Sequence, residues 1–197
     1  MNESTAQADF EYRFRQRPVG GGTILRLLPD AFEIEIEPAG RKTQVRYSDV
    51  SRVRLGFRPA NLAGQRYLAE VWSRTGGKLS IPSVSARGMF HFDNQAAAYR
   101  AFITELCRRI GEAQPSLQID AGMPAWRWWP GAVFGGAVLL AILYFSVAAI
   151  RDGNFSLLVV TLIFAALFLS QVGALLLRNR PRKARMNLIP AQVLPPA

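Results

Sequence analysis

The sequence of 197 residues holds one cysteine, Cys107, and one histidine, His91. A single cysteine excludes an intrachain disulfide and suits a reducing compartment, or a fold that needs no covalent staple. One His and one Cys are too few for a zinc-type cluster within one chain. Nucleophilic catalysis by Ser or Cys normally needs a positioned His base. His91 sits between Phe90 and Phe92, and its nearness to Asp93 is what any loop produces. Cys107 falls beside the apolar face of a predicted helix and reads as a packed thiol. Gly20-Gly-Gly22 is too short for a phosphate loop and lacks the following Lys-Ser/Thr, so it reads as a flexible entry. Glu33, Glu35 and Glu37 share one strand face, match no second acid cluster, and read as solvated. No catalytic, cofactor-binding or metal-ligating set emerges, and the expectation is a protein that is not an enzyme. The first sixteen residues also lack an apolar run, so no cleavable export signal is expected there.

Charge is missing altogether from two long stretches, Gly131 to Ile150 and Phe155 to Leu177. Only Arg151, Asp152, Gly153 and Asn154 separate them. At about 1.5 Å per residue each is long enough, as a helix, to cross a hydrocarbon core of about 30 Å. The sequence therefore predicts an integral membrane protein with a helical hairpin. Neither stretch contains Asp, Glu, Lys, Arg or His, the groups that mark proton relays and ion pathways at membrane depth. Two helices also cannot enclose a pore, so transport by the isolated chain is not expected. Gln171, the one strongly polar side chain in the runs, is expected in an interhelical hydrogen bond.

Positive charge is present in excess, +10 overall with a pI near 10.8. Such a balance can signal nucleic acid, but its placement argues against that partner. Residues 1–125 hold 17 Lys/Arg against 13 Asp/Glu, whereas Arg178, Arg180, Arg182, Lys183 and Arg185 follow the second run with no acid among them. Basic flanks mark the cytoplasmic side of a span. Arg127 before the first run and the five cations after the second therefore place both termini in the cytoplasm, with the four-residue turn outside. Trp126, Trp128 and Trp129 around Arg127 suit the aromatic belt at a membrane–water interface. Small residues recur at four-residue spacing, with Gly131 and Gly135 in the first run and Ala166, Ser170 and Ala174 in the second. Such faces let helix backbones approach one another or a second subunit.

The preceding half reads as short strands and one helix. Phe32, Ile34 and Ile36 alternate with glutamates, the period of a half-buried strand. Thr23 to Leu28, Thr43 to Tyr47, the Val53/Leu55/Phe57 alternation, Tyr67 to Ser73 and Lys78 to Ile81 read likewise. Thr75-Gly-Gly77 marks a hairpin turn. Tyr99, Phe102, Ile103, Leu106 and Ile110 then share one helical face, with Asp93 or Asn94 as N-terminal cap and Gly111 as terminator. Residues Gln114 to Ala125 read as a linker, and Met186 to Ala197, with three prolines and no periodicity, as a mobile tail.

Two segments, Leu25-Arg-Leu-Leu-Pro-Asp-Ala-Phe-Glu-Ile-Glu-Ile36 and Arg41-Lys-Thr-Gln-Val-Arg-Tyr-Ser-Asp-Val-Ser-Arg-Val-Arg-Leu55, resemble bacterial pleckstrin-homology-like (PH-like) domains. Many of those are joined to membrane helices. The resemblance spans roughly residues 20 to 110 and implies a binding or scaffolding module. Phosphoinositide-binding eukaryotic members use basic residues in the first hairpin. Here that turn, Leu28-Pro-Asp-Ala31, has one acid and no base, so head-group recognition does not carry over to it.

The expected architecture is α+β. It comprises an N-terminal tail (1–19), a small antiparallel PH-like barrel or sheet with a C-terminal helix (20–111), and a linker with the aromatic belt (112–127). A transmembrane hairpin (128–178) and a basic, proline-containing tail (179–197) follow. Arg41, Lys42, Arg46, Arg52, Arg54 and Arg58 form a basic set for a protein partner or anionic lipid. The expected role is a non-catalytic accessory or scaffold in the inner membrane, with the bilayer and a protein as partners, no cofactor and no nucleic acid. The rival readings, both at the cytoplasmic face, are a membrane enzyme, with His91, Asp93 and Asp120 as its best candidates, and a sensor of anionic lipid acting through the Arg41 to Arg58 surface.

Overall fold

The computed structural model describes residues 10–16, 21–61, 64–75, 77–87, 92–186 and 188–196. The fold is α+β, with antiparallel sheets followed by helices, two of them long and apolar enough to span a membrane. It divides into two compact units. One runs to Gly122 and resumes at Arg182; the other is Met123–Pro181.

The first unit contains a four-stranded antiparallel sheet of β1 (Phe10–Phe14), β2 (Thr23–Leu27), β3 (Ala31–Ile36) and β4 (Arg41–Arg46), in that order. β5 (Val50–Asn61), β6 (Gly64–Ser73) and β7 (Lys78–Pro82) continue into a second sheet of order β11-β10-β5-β6-β7. There β10 is Gln118–Ala121 and β11 is Arg182–Arg185. β10 runs parallel to β5 and antiparallel to β11. β8 (Val84–Ala86) and β9 (Phe92–Asn94) form a small ribbon leading into helix α1 (Ala96–Ala113). The α1 face read from the sequence is the buried one, with Tyr99, Phe102, Ile103, Leu106, Cys107 and Ile110 inside. Those side chains share one core with Leu25, Leu27, Val53, Leu55 and Ile81. Asn94 Oδ1 accepts from Ala96 N–H at 3.1 Å, while Asp93 pairs instead with Arg87.

Three boundaries differ from the sequence reading. The segment expected as an N-terminal tail contains β1, whose Tyr12 and Phe14 are buried, because Phe10, Tyr12 and Phe14 alternate with charged residues. The expected linker contains β10, with Ile119 fully buried. The expected basic tail supplies β11, and the expected mobile tail, Met186 to Ala197, supplies Met186, Val193 and Leu194 to the core. Arg100 holds its end by donating to the Pro195 carbonyl at 2.8 Å.

Two glycines do different work from that expected. Helix α1 continues past Gly111 to Ala113. A Cβ on Gly111 would lie 2.7 Å from the Met186 Cβ, so the missing side chain admits the returning chain. Gly21 is no flexible entry, since a Cβ there would overlap the Glu37 carbonyl at 1.3 Å.

One ion-pair group ties α1 to the β2–β3 turn. Arg109 donates to Glu105 at 2.7 Å and to the Leu28 carbonyl at 2.9 Å, and Tyr47 Oη donates to the same carbonyl at 2.9 Å. Hydrogen bonding from Arg108, then from Arg109, holds the Glu105 carboxyl down to about 2. A folded-state value below the unfolded one gives stability that is present above about pH 4.5 and lost as pH falls toward 2. Glu105→Gln should therefore lower the thermal midpoint at neutral pH and leave it unchanged near pH 2. Thermal melts across that range in mild detergent check this.

The second unit is a helical hairpin. Helix α2 is Ala125–Arg151; α3 (Phe155–Phe168), a π-turn at Leu169–Gly173 and α4 (Ala174–Arg178) make its return limb. Gly153 supplies the left-handed turn at φ 64°, and Asn154 Oδ1 caps α3 by accepting from Leu157 N–H at 3.0 Å. Among the described residues only Gly135 and Ala149 of α2 are buried, and none of α3. The hairpin is thus no buried core element, and leaves Val133, Phe134, Leu140, Leu162, Ile163 and Phe164 bare.

Candidate functional site

The six-residue basic set does not form one surface. Arg41, Lys42 and Arg46 lie on β4 of the first sheet, with Lys42 3.8 Å from Glu33. Arg52 and Arg54 lie on β5 of the second. Arg58 belongs to β5 too, and its side chain lies outside the described residues.

On the first sheet the charges are largely spent on each other. Arg26 donates to Glu11 at 2.9 Å, Glu33 at 3.1 Å and Glu35 at 2.5 Å, which raises the pKa of its guanidinium. Arg13 donates to both oxygens of Glu37 at 2.7 Å. The three glutamates are therefore ion-paired across strands rather than solvated.

The second sheet gathers cations around one aromatic ring. Strand alternation buries Val53, Leu55, Val71 and Ile119 and turns Arg52, Arg54, Trp72 and Asp120 to the opposite face. Arg52 Cζ lies 5.4 Å from the Trp72 ring centre, Arg54 Cζ 5.6 Å and Lys78 Nζ 5.3 Å. A cation over an indole face is attracted by the ring quadrupole. Arg52 Nε donates to Asp120 at 2.6 Å, Arg54 stands 3.8 Å from the same carboxylate, and Lys78 pairs with Glu70 at 2.5 Å. The expected basic tail contributes too, since cross-strand register sets Lys183 opposite Asp120 and Arg185 opposite Gln118. Trp72 and Lys78 had no local sequence signal. Their role follows from the β5–β6–β7 register, which aligns Arg52, Trp72 and Lys78.

The expected membrane-interface residues split between the two units. Arg182, Lys183 and Arg185 belong to the sheet unit as exposed residues of β11. Trp126, Arg127, Trp129, Arg178 and Arg180 are exposed in the hairpin unit. Arg127 lies over the Trp126 ring at 4.7 Å. Trp128 is turned inward, and its indole N–H donates to the Leu176 carbonyl at 2.9 Å, tying the limbs together.

Helix packing also departs from expectation on one limb. Gly131 and Gly135 do face the return limb, where a Cβ would lie 3.6 Å and 3.2 Å from Leu176 methyl carbons. Ala166 and Ser170 are exposed, and the Ala174 side chain lies outside the described residues. The helical phase instead brings Leu158, Thr161, Ala165 and Phe168 to the half-buried face, and Ser146 and Thr161 share a 3.2 Å hydroxyl contact. Gln171 is exposed in the π-turn, and among the described residues it makes no interhelical bond.

Of the enzyme candidates, the two described ones, Asp93 and Asp120, lie on different sheets. Asp93 on β9 pairs with Arg87, Asp120 on β10 pairs with Arg52, and His91 lies outside the described residues. Burial pushes the Cys107 thiol up to about 12, which makes it inert. Among the described residues no group of three or more His, Cys, Asp or Glu is placed to hold a metal ion. No protein-family model matches this chain, and no curated protein does.

Proposed function

We propose that the chain is a non-catalytic membrane protein that presents a PH-like binding domain on the cytoplasmic side of the inner membrane, as an accessory of a larger assembly. The observation that carries this reading is the β10–β11 pair. Ala121 stands opposite Arg182, with three residues between Ala121 and the start of α2 and three between the end of α4 and Arg182. Both ends of an apolar hairpin thus return to one folded domain. If the hairpin enters a bilayer, the chain before it and the chain after it share a side.

The bare apolar side chains of the hairpin support a lipid environment, because water would leave them unburied. The cations Arg127, Arg178 and Arg180 at one end, against one Arg and one Asp in the turn, support the cytoplasmic assignment. A run of antiparallel strands followed by helix α1, which packs into their core, supports the PH-like reading. Charged pairs satisfied within the domain, with no acid–base–nucleophile constellation among the described residues, favour binding over catalysis.

Impermeant maleimide on intact spheroplasts tests the topology, because the native thiol is buried. Asp152→Cys in the turn should label from outside, and Ser116→Cys in the domain only after lysis. The opposite pattern reverses the sidedness, and release of the chain by alkaline carbonate rejects the anchor. Capture of a specific neighbour by in-cell crosslinking supports the accessory role. An isolated monomer that crosslinks to nothing rejects it.

A further inference from the structure

We propose that the outer face of the β11-β10-β5-β6-β7 sheet, centred on Trp72, is a contact site for anionic phospholipid headgroups. This rests on the membrane reading above and assigns a ligand class to one face of the domain.

The register aligns one row of side chains across all five strands: Lys183, Asp120, Arg54, Glu70 and Ser80. Next to it, Arg52, Trp72 and Lys78 lie opposite one another on β5, β6 and β7, and Arg185 pairs with Gln118. The five cations Arg52, Arg54, Lys78, Lys183 and Arg185 face the two acids Asp120 and Glu70, which leaves the patch at +3. The acids orient the cations more than they neutralise them. Arg52 and Lys78 keep about half their side-chain surface open, 50 % and 45 %, while bonded to a carboxylate. Arg54 is less well served. Its Nε is buried without an acceptor, and its nearest ion-pair oxygen is 3.8 Å away. A cluster with more donors than acceptor oxygens fits a phosphate-bearing surface.

Charge complementarity alone would also admit an acidic protein segment. Two features favour lipid. An indole set among Arg and Lys is the side-chain combination of membrane interfaces, where the ring meets the acyl boundary and the cations meet phosphates. Further, β10 and β11, which carry Asp120, Lys183 and Arg185, join the apolar hairpin through three residues each. An anchored chain meets the headgroups of its own membrane at high effective concentration without diffusing to them. The site differs from the β2–β3 turn, which has an acid and no base.

The test uses the full chain in nanodiscs, with Ser80→Cys on the row labelled by an environment-sensitive fluorophore and quenched by lipid carrying a headgroup nitroxide. Replacing about 30 % of the phosphatidylcholine with phosphatidylglycerol should raise quenching several-fold, and 0.5 M NaCl should abolish the gain. Arg52→Glu with Lys78→Glu should remove most of it. Equal quenching in the two lipid compositions overturns the proposal without relying on any charge variant. So does a phosphatidylglycerol response that persists in the double variant. A label that ignores phosphatidylglycerol but shifts on adding polyglutamate assigns the face to an acidic protein and overturns the lipid assignment. If the chain fails to enter nanodiscs at all, the membrane reading fails first. If it enters and shows no lipid-charge dependence, only this inference falls.

Discussion

Ending the chain at Pro181 should unfold the sheet domain, although the deleted residues follow both apolar helices. Met186, Val193 and Leu194 are 4 %, 2 % and 6 % exposed and belong to the same core as Leu55, Ile110 and Ile119. Burying one such side chain is worth about 1.5–3 kcal/mol, so three amount to roughly 5–9 kcal/mol. A whole domain is stable by only about 5–15 kcal/mol. Deletion also uncovers the β10 edge, which pairs with β11 over four residues. Amide hydrogen exchange of the truncated chain should show protection lost across the sheets and α1, most completely at β10 and the C-terminal half of α1, with the hairpin still resistant to carbonate. Retained protection would mean that the returning segment is decoration. Two point changes probe the same joint more gently. Leu194→Ala should cost about 2–5 kcal/mol. Gly111→Leu, which puts a side chain where Met186 already lies, should cost about 1–3 kcal/mol by forcing the tail outward.

That joint also marks where sequence reasoning ran short. The α1 face was legible because Tyr99, Phe102, Ile103, Leu106 and Ile110 repeat at helical spacing, and period is a local property. The charge-free runs were legible for the same reason. In the returning segment Met186, Val193 and Leu194 have no period, and prolines surround them, so composition pointed to a loose tail. Their burial depends on partners far away in sequence, for Met186 the bare helix surface at Gly111. β1 was legible in principle, since Phe10, Tyr12 and Phe14 alternate with Glu11 and Arg13, but so short a strand among polar residues gave a weak signal.

The candidate site was half visible by the same logic. Alternation along β5 put Arg52 and Arg54 outward, as read. It could not show that Trp72 and Lys78 arrive beside them, because cross-strand neighbours are fixed by register and not by spacing along one strand. Nor could it separate Arg41, Lys42 and Arg46 from that patch, since nothing local says that β4 and β5 enter different sheets. The glutamates of β3 illustrate the cost. One strand read alone shows three acids facing water, whereas the sheet shows Arg26 bridging Glu11, Glu33 and Glu35.

Within the hairpin, Gly135→Leu should loosen the packing of the limbs and Ala166→Leu should not. Lipid tails are as apolar as the helices, so the limbs gain little from leaving lipid and hold together by close dispersion contact and hydrogen bonds. Gly135 is buried, with a Cβ position 3.2 Å from one Leu176 methyl and 4.0 Å from Phe168 Cζ, so a leucine there has no free volume to enter. Overpacking of this kind costs about 1–3 kcal/mol. Displacing Leu176 also strains the bond that its carbonyl accepts from the Trp128 indole, adding a polar loss to the steric one. Ala166 is exposed, and a leucine there replaces lipid with lipid-like surface. The readout is the rate of disulfide formation between Ser146→Cys and Thr161→Cys, whose native hydroxyls lie 3.2 Å apart, with buried Cys107 as a silent background. Oxidation should be rapid in the reference background, several-fold slower with Gly135→Leu, and unchanged with Ala166→Leu. A slow Ala166→Leu background beside a fast Gly135→Leu one would show that the limbs meet through the alanine and serine face instead, and would restore the stripe at Ala166, Ser170 and Ala174 as the seam.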